Sequence, residues 1–194
     1  MLFALCFVIP LKAQTMRQLL AAMPDSILEI YTHNDKLDFI DFIDNNMKAE
    51  VKSKFGTKTE MTSLTDDFCR IKTSEVSTID IKILNGGNLI CIINSVKSTA
   101  WDSDLRFFDK EWKELPASSH FTMPTTEEFI PRPDGMTDEQ YQALVNKAET
   151  PFFHAEFGAG NQVKVTYTSS AITADNYEKE IKPYIHSEVV AMIR

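Results

Sequence analysis

The chain has 194 residues, 43% apolar and 25% charged with only six glycines, a profile that fits one globular domain with a full-sized core and excludes a disordered or fibrous chain. Its formal net charge is −8, and no basic cluster interleaved with aromatics offsets it. Such a surface repels phosphate backbones and anionic lipid, which argues against nucleic-acid and membrane-surface partners.

Leu2 to Leu11 is an apolar run of signal-core length, too short to span a bilayer, and Lys12-Ala13 then meets the polar Gln14. The pattern predicts an export signal over 1–13, cleaved after Ala13, and a single mature domain over 14–194. No basic residue precedes the apolar core, so the expected signal is a truncated one, and Cys6 lacks the preceding small residue that a lipid anchor needs. Its removal leaves Cys69 and Cys91 as an even pair. In an oxidising compartment they can form a disulfide, and as residues of apolar strands they can equally be small buried hydrophobes.

Thr15 to Ala22 has helical periodicity and is stopped by Pro24; Asp25-Ser26 can cap a short turn through Tyr31. A longer helix is expected from Asn34, as N-cap, to about Phe55, ended by Gly56. Its apolar residues from Leu37 to Val51 cover over half the helical wheel and predict a buried helix lying across a sheet. Asp35, Asp38, Asp41 and Asp44 recur every three residues, a step that lags the helical turn, so they fan over a solvated face instead of converging on a cation.

Glu60 to Thr73 reads as one strand or a bent pair broken at Asp66-Asp67. The centre of the chain follows, with strands at Thr78–Leu84, Leu89–Ser98 and Asp104–Phe108. Between the first two, Asn85-Gly86-Gly87-Asn88 supplies the positive φ angles of a tight hairpin and sets Ile83 opposite Ile90 and Ile81 opposite Ile92. Leu89, Cys91 and Ile93 make the second strand apolar on its other face too, which places it inside a sheet. Asp102-Ser103-Asp104 begins like a calcium loop, but Arg106, Phe107 and Lys113 stand where ligand, glycine and glutamate belong.

Half of the eight prolines fall between Pro116 and Pro133. The loop they predict over 116–137 carries Phe121, Met123, Phe129 and Ile130, which either pack it onto the sheet or line a surface for a ligand or partner. Thr137 with Gln140 predicts a capping box and a helix to about Lys147. Phe152–Phe157 and Gln162–Ser169 alternate as strands joined by Gly158-Ala159-Gly160-Asn161. A charged helix is expected over Thr173–Ile181 and a closing edge strand over Glu188–Ile193.

No hydrolase elbow, Walker loop, paired Cys-x-x-Cys or His-Glu-x-x-His helix is present, and neither cofactor nor metal is expected. His154 and Glu156, on one face of a strand, are the acid–base candidates, with a solvated strand face as the ordinary explanation. Cys91, in a central strand without a basic neighbour, is a poor nucleophile.

Met23-Pro24-Asp25-Ser26, the run Lys36-Leu37-Asp38-Phe39-Ile40-Asp41-Phe42, the stretch Glu60-Met61-Thr62-Ser63-Leu64-Thr65-Asp66-Asp67 and Lys182-Pro183-Tyr184 together resemble a family of uncharacterised exported proteins of Gram-negative gut anaerobes, classed as a domain of unknown function. The resemblance implies export to the periplasm or beyond and transfers no catalytic or binding residue.

The expected fold is α+β: an antiparallel sheet of about six to eight strands with helices packed mainly on one face. The leading functional expectation is a non-enzymatic periplasmic or surface-associated binding protein contacting a partner through Phe121, Met123, Phe129 and Ile130. The alternatives are a carrier for a lipid-like ligand held between helix and sheet, and a hydrolase using His154, Glu156 or the Asp102 and Asp104 carboxylates.

Overall fold

A computed structural model describes residues 14–147, 152–168 and 182–194; the expected export signal and the helix expected over 173–181 lie outside the described residues. Seven strands, β1 (Glu50–Lys52), β2 (Lys58–Leu64), β3 (Phe68–Ser74), β4 (Ser77–Leu84), β5 (Leu89–Lys97), β6 (Trp101–Phe108) and β7 (Glu114–Leu115), form an antiparallel meander in sequence order. A second antiparallel sheet holds β8 (Phe152–Phe157), β9 (Gln162–Thr168) and β10 (Glu188–Met192) in the order β10-β9-β8. The fold is α+β, as the sequence leads one to expect, and the second sheet is the part that its patterning did not reveal.

The β4–β5 hairpin has the expected register, Ile83 opposite Ile90 and Ile81 opposite Ile92. Its loop depends on Gly86 and Gly87, at φ 66° and 101°, conformations that a Cβ would strain. The stretch expected as one strand or a bent pair is the hairpin β2–β3, turned at Thr65, whose Oγ1 accepts from the Phe68 backbone N–H at 3.0 Å.

Alternation then sends the apolar residues of β3–β6 to two cores. On one side Cys69, Ile71, Ile81, Ile90 and Ile92 meet α1 (Met16–Ala22) and α2 (His33–Asp44). On the other, Cys91, Ile93, Leu105 and Phe107 meet Ala155, Val163, Val165 and Tyr167 of the second sheet. Three shorter helices close this second core: α3 (Ala117–His120), α4 (Thr126–Phe129) and α5 (Asp138–Lys147).

The long helix is shorter than expected at both ends. Its N-cap is Thr32, not Asn34, because Thr32 and Asp35 exchange two backbone bonds: Thr32 N–H donates to Asp35 Oδ2 at 2.7 Å and Asp35 N–H to Thr32 Oγ1 at 3.2 Å. It ends at Asp44, not near Phe55. Asn46 takes a left-handed φ of 54° and Met47 N–H closes on the Phe42 carbonyl at 2.8 Å, a helix stop supplied by asparagine where the sequence reading waited for glycine. Val51 is therefore buried as a strand residue and Met47 is exposed.

Cys69 and Cys91 are free thiols, buried on opposite faces of the large sheet, which settles the open alternative in favour of small buried hydrophobes. Burial pushes both thiols upward, so a thiol reagent is expected to label neither in the native protein and both after unfolding. The most unusual core member is Lys36, only 1% exposed, whose Nζ donates to the Met23 carbonyl at 2.6 Å and to Asp25 Oδ1 at 2.7 Å. Lys36→Met keeps the volume but strands that buried carbonyl, and is expected to lower unfolding stability by about 1–3 kcal/mol in a urea titration.

Candidate functional site

The proline-rich segment is not a loop facing outward. Phe121, Phe129 and Ile130 are buried in the core beneath the second sheet, and half-buried Met123 packs against them. Phe129 stacks on Phe153 at 5.2 Å between ring centroids, and the Ile130 carbonyl accepts from the Tyr141 hydroxyl at 2.8 Å. The segment folds inward because Thr125 and Glu128 make a capping box that starts α4 and so aims Phe129 and Ile130 at the core. Of the two roles the sequence left open for these residues, packing is the one the structure gives them.

The charged and aromatic residues that do meet at an opening lie along the seam where β8 stands against the large sheet. Arg70 on β3 is directly opposite Asp80 on β4. It grips that carboxylate with two bonds, Nε to Oδ1 at 2.7 Å and Nη2 to Oδ2 at 2.6 Å. Asp80 is almost wholly buried, so this bidentate pairing supplies what water cannot. From β8, Glu156 Oε1 approaches the same guanidinium at 3.6 Å.

Two residues further along β4, Lys82 Nζ donates to the Gly158 and Gly160 carbonyls of the β8–β9 loop at 2.9 and 2.8 Å, and stands 5.5 Å from the centre of the Phe157 ring. Phe157 meets Phe68 edge to face at 6.2 Å. Around these groups runs a cleft of about 310 Å³, lined by Thr65, Asp67, Phe68, Arg70, Asp80, Lys82, Phe157 and Gly158. It adjoins a second cleft of about 490 Å³ that shares Asp67 and Lys82 and reaches Gln14 and the glycine hairpin.

His154 and Glu156 both stand at this seam, but His154 Nε2 lies 4.0 Å from Glu156 Oε1, beyond a hydrogen bond. The imidazole is tilted over the Trp101 ring, 4.9 Å between centroids, and its Nδ1 is buried without a partner. Asp102 and Asp104 do not join them. They are opposite Val96 and Asn94 and project from the helix-facing side of the large sheet, while Glu156 meets Arg70 on the other side. Among the described residues no group of three or more His, Cys, Asp or Glu side chains could hold a metal ion.

Sequence reading missed Arg70, Lys82 and Phe68. The available signal was Arg70 and Asp80 at matching positions of adjacent apolar strands, a charge on each where a core residue is expected.

Among curated proteins none matches the chain. A family model described as "Protein of unknown function (DUF3256)" matches residues 8–192. The chain is also similar in fold to a solved domain of an uncharacterized protein from Porphyromonas gingivalis W83, at 20% identity and a TM-score of 0.74 over 94% of this chain and 99% of that one.

Burial holds the His154 pKa below its ordinary 6.5, against the pull of Glu156. The unfolded chain therefore takes up this proton more readily than the folded one. The contribution of the neutral imidazole to stability is complete above 6.5 and is lost as pH falls below it. His154→Phe is expected to flatten the decline of the urea midpoint between about pH 7 and about pH 5.

Proposed function

We propose that this chain, which belongs to the DUF3256 family of proteins of unknown function, is an exported, non-enzymatic binding protein whose seam receives a segment of a partner protein. The observation that carries this reading is the seam itself, where Arg70, Lys82, Phe68 and Phe157 line an open cleft on strands held by two sheets. Rings beside partly desolvated cations are the groups that dominate protein interfaces, and their attachment to paired strands means little order is lost on binding.

Catalysis finds less support. The His154–Glu156 pair is not hydrogen-bonded, and both buried thiols are pushed away from the thiolate form. The lipid-carrier alternative asks for a chamber between helices and sheet. That space is filled by Met16, Leu19, Leu20, Phe39 and Met61, each at most 2% exposed. Export rests on the apolar run ending at Lys12-Ala13.

The test is a photo-crosslinking scan in the producing cells, with p-benzoylphenylalanine placed at Phe68, at Phe157 and, as a buried control, at Phe129. A discrete adduct from the two seam positions but not from Phe129, on a protein that fractionates outside the cytoplasm and begins at Gln14, is the expected result. Adducts from no seam position remove the proposed contact, and a cytoplasmic chain retaining residues 1–13 removes export.

A further inference from the structure

We infer that the helix-facing side of the large sheet carries a second, independent surface through which two copies of this chain associate, each seating Phe55 in a groove of the other. The helices leave one end of this face uncovered. There a groove of about 410 Å³ is lined by, among others, Thr57, Thr73, Ser77, Ile79, Asn94 and Val96, and no lining residue is charged. Phe55 stands on its rim at 81% exposure and Val96 within it at 52%.

The turn that presents Phe55 is held tightly. Gly56 N–H donates to the Ser53 carbonyl at 2.8 Å, Ser53 N–H to the Thr57 carbonyl at 2.9 Å and Lys54 N–H to the Ile30 carbonyl at 2.9 Å, while Gly56 takes a φ of 80°. A large aromatic at the tip of a rigid turn is a preorganised anchor.

The opposite charges at the two ends of this groove fit a second copy as the occupant. Two chains of net charge −8 repel over most of their surfaces, and the electrostatic cost of contact is least where the lining is uncharged. The rim of the same groove is polarised. Lys54 sits in the Phe55 turn, and Asp102 and Asp104 sit across the face on β6, directly opposite Val96 and Asn94. From β2 to β6 is four strand spacings, about 19 Å.

All three charged residues are exposed, and among the described residues none makes an ion pair within 4 Å, while Asp104 acts at longer range on Arg106 and Lys54 on Asp25. A two-fold axis through the groove sets Lys54 of each copy against Asp102 and Asp104 of the other while each Phe55 enters the facing groove. The contact is self-complementary and closes at two copies.

Sedimentation velocity over a wide concentration range tests this with the mature chain. Wild type is expected to dimerise reversibly, and Phe55→Ala to weaken the dimer at least tenfold. Lys54→Glu alone, and Asp102→Lys with Asp104→Lys in another chain, are each expected to be monomeric. A mixture of these two variants is expected to recover a heterodimer, because only that pairing restores opposite charges on both sides. These side chains are exposed, so unchanged melting temperatures are expected to confirm the fold of every variant. A wild type that stays monomeric to millimolar concentration overturns the proposal and leaves the groove to a different partner. A dimer indifferent to Phe55→Ala, or a mixture that stays monomeric, overturns it equally.

Discussion

Strand β5 is apolar on both faces, and that single constraint organises the molecule. Ile90 and Ile92 point one way and Cys91 and Ile93 the other, and all four are at most 1% exposed. Burying both rows requires a cover on each side of the sheet. Helices α1 and α2 supply one cover and the second sheet, with α3 to α5, supplies the other. Polar groups trapped between these layers then need partners, and among the described residues the Tyr31 hydroxyl and His154 Nδ1 are buried without one. Lys36 finds the Met23 carbonyl. Ser95 and Ser103 pair at 2.8 Å, and Ser103 Oγ also accepts the Ala155 N–H of β8 at 3.0 Å. The Lys36 bond joins α2 to the end of α1 within the helical cover, while the Ser103 bond ties the second sheet to the large one, and so the packing sets where the seam opens.

The seam follows from the mismatch between a seven-stranded sheet and a three-stranded cover. β8 lies over β6 and β5, so β3 and the near part of β4 emerge beside it, bringing Phe68, Arg70, Asp80 and Lys82 to the edge of the covered region. The Asp80 carboxylate is too buried to stand unpaired, and Arg70 answers it from the exposed side. Lys82 ties the β8–β9 loop to the sheet through two carbonyls. Structural bonds thus fix the positions of both cations beside the Phe68 and Phe157 rings. The uncharged groove at Phe55 arises by the same logic on the opposite face, where the helices are too short to cover the whole sheet. The two surfaces are therefore separated by the sheet.

Much of this fold was legible in the residues. The β4–β5 register came from the glycine turn and the alternation of isoleucines, and α5 from Thr137 and Gln140, whose capping box forms with Thr137 N–H donating to Gln140 Oε1 at 2.9 Å. Errors gathered where two local signals competed. Asn34 looked like the cap, but the reciprocal pair Thr32–Asp35 satisfies two backbone donors and takes the position. Met47 and Val51 kept the helical wheel apolar past Asp44, yet Asn46 ends the helix and returns Val51 as a strand residue. In the proline-rich segment, prolines concealed the Thr125–Glu128 box that turns Phe129 inward.

The sequence by itself determined what depends on neighbours a few residues apart: caps, turns, strand alternation and the register of a tight hairpin, since these energies are decided by local backbone geometry. Only the tertiary structure decided which layer would cover which face. That choice brought Glu156 of β8 to Arg70 of β3, put Asp102 and Asp104 on the far side of the sheet from His154, and left Phe55 beside an open groove. Such meetings join residues far apart in the chain, and they depend on how whole faces fill space together, a property that no stretch of sequence carries alone.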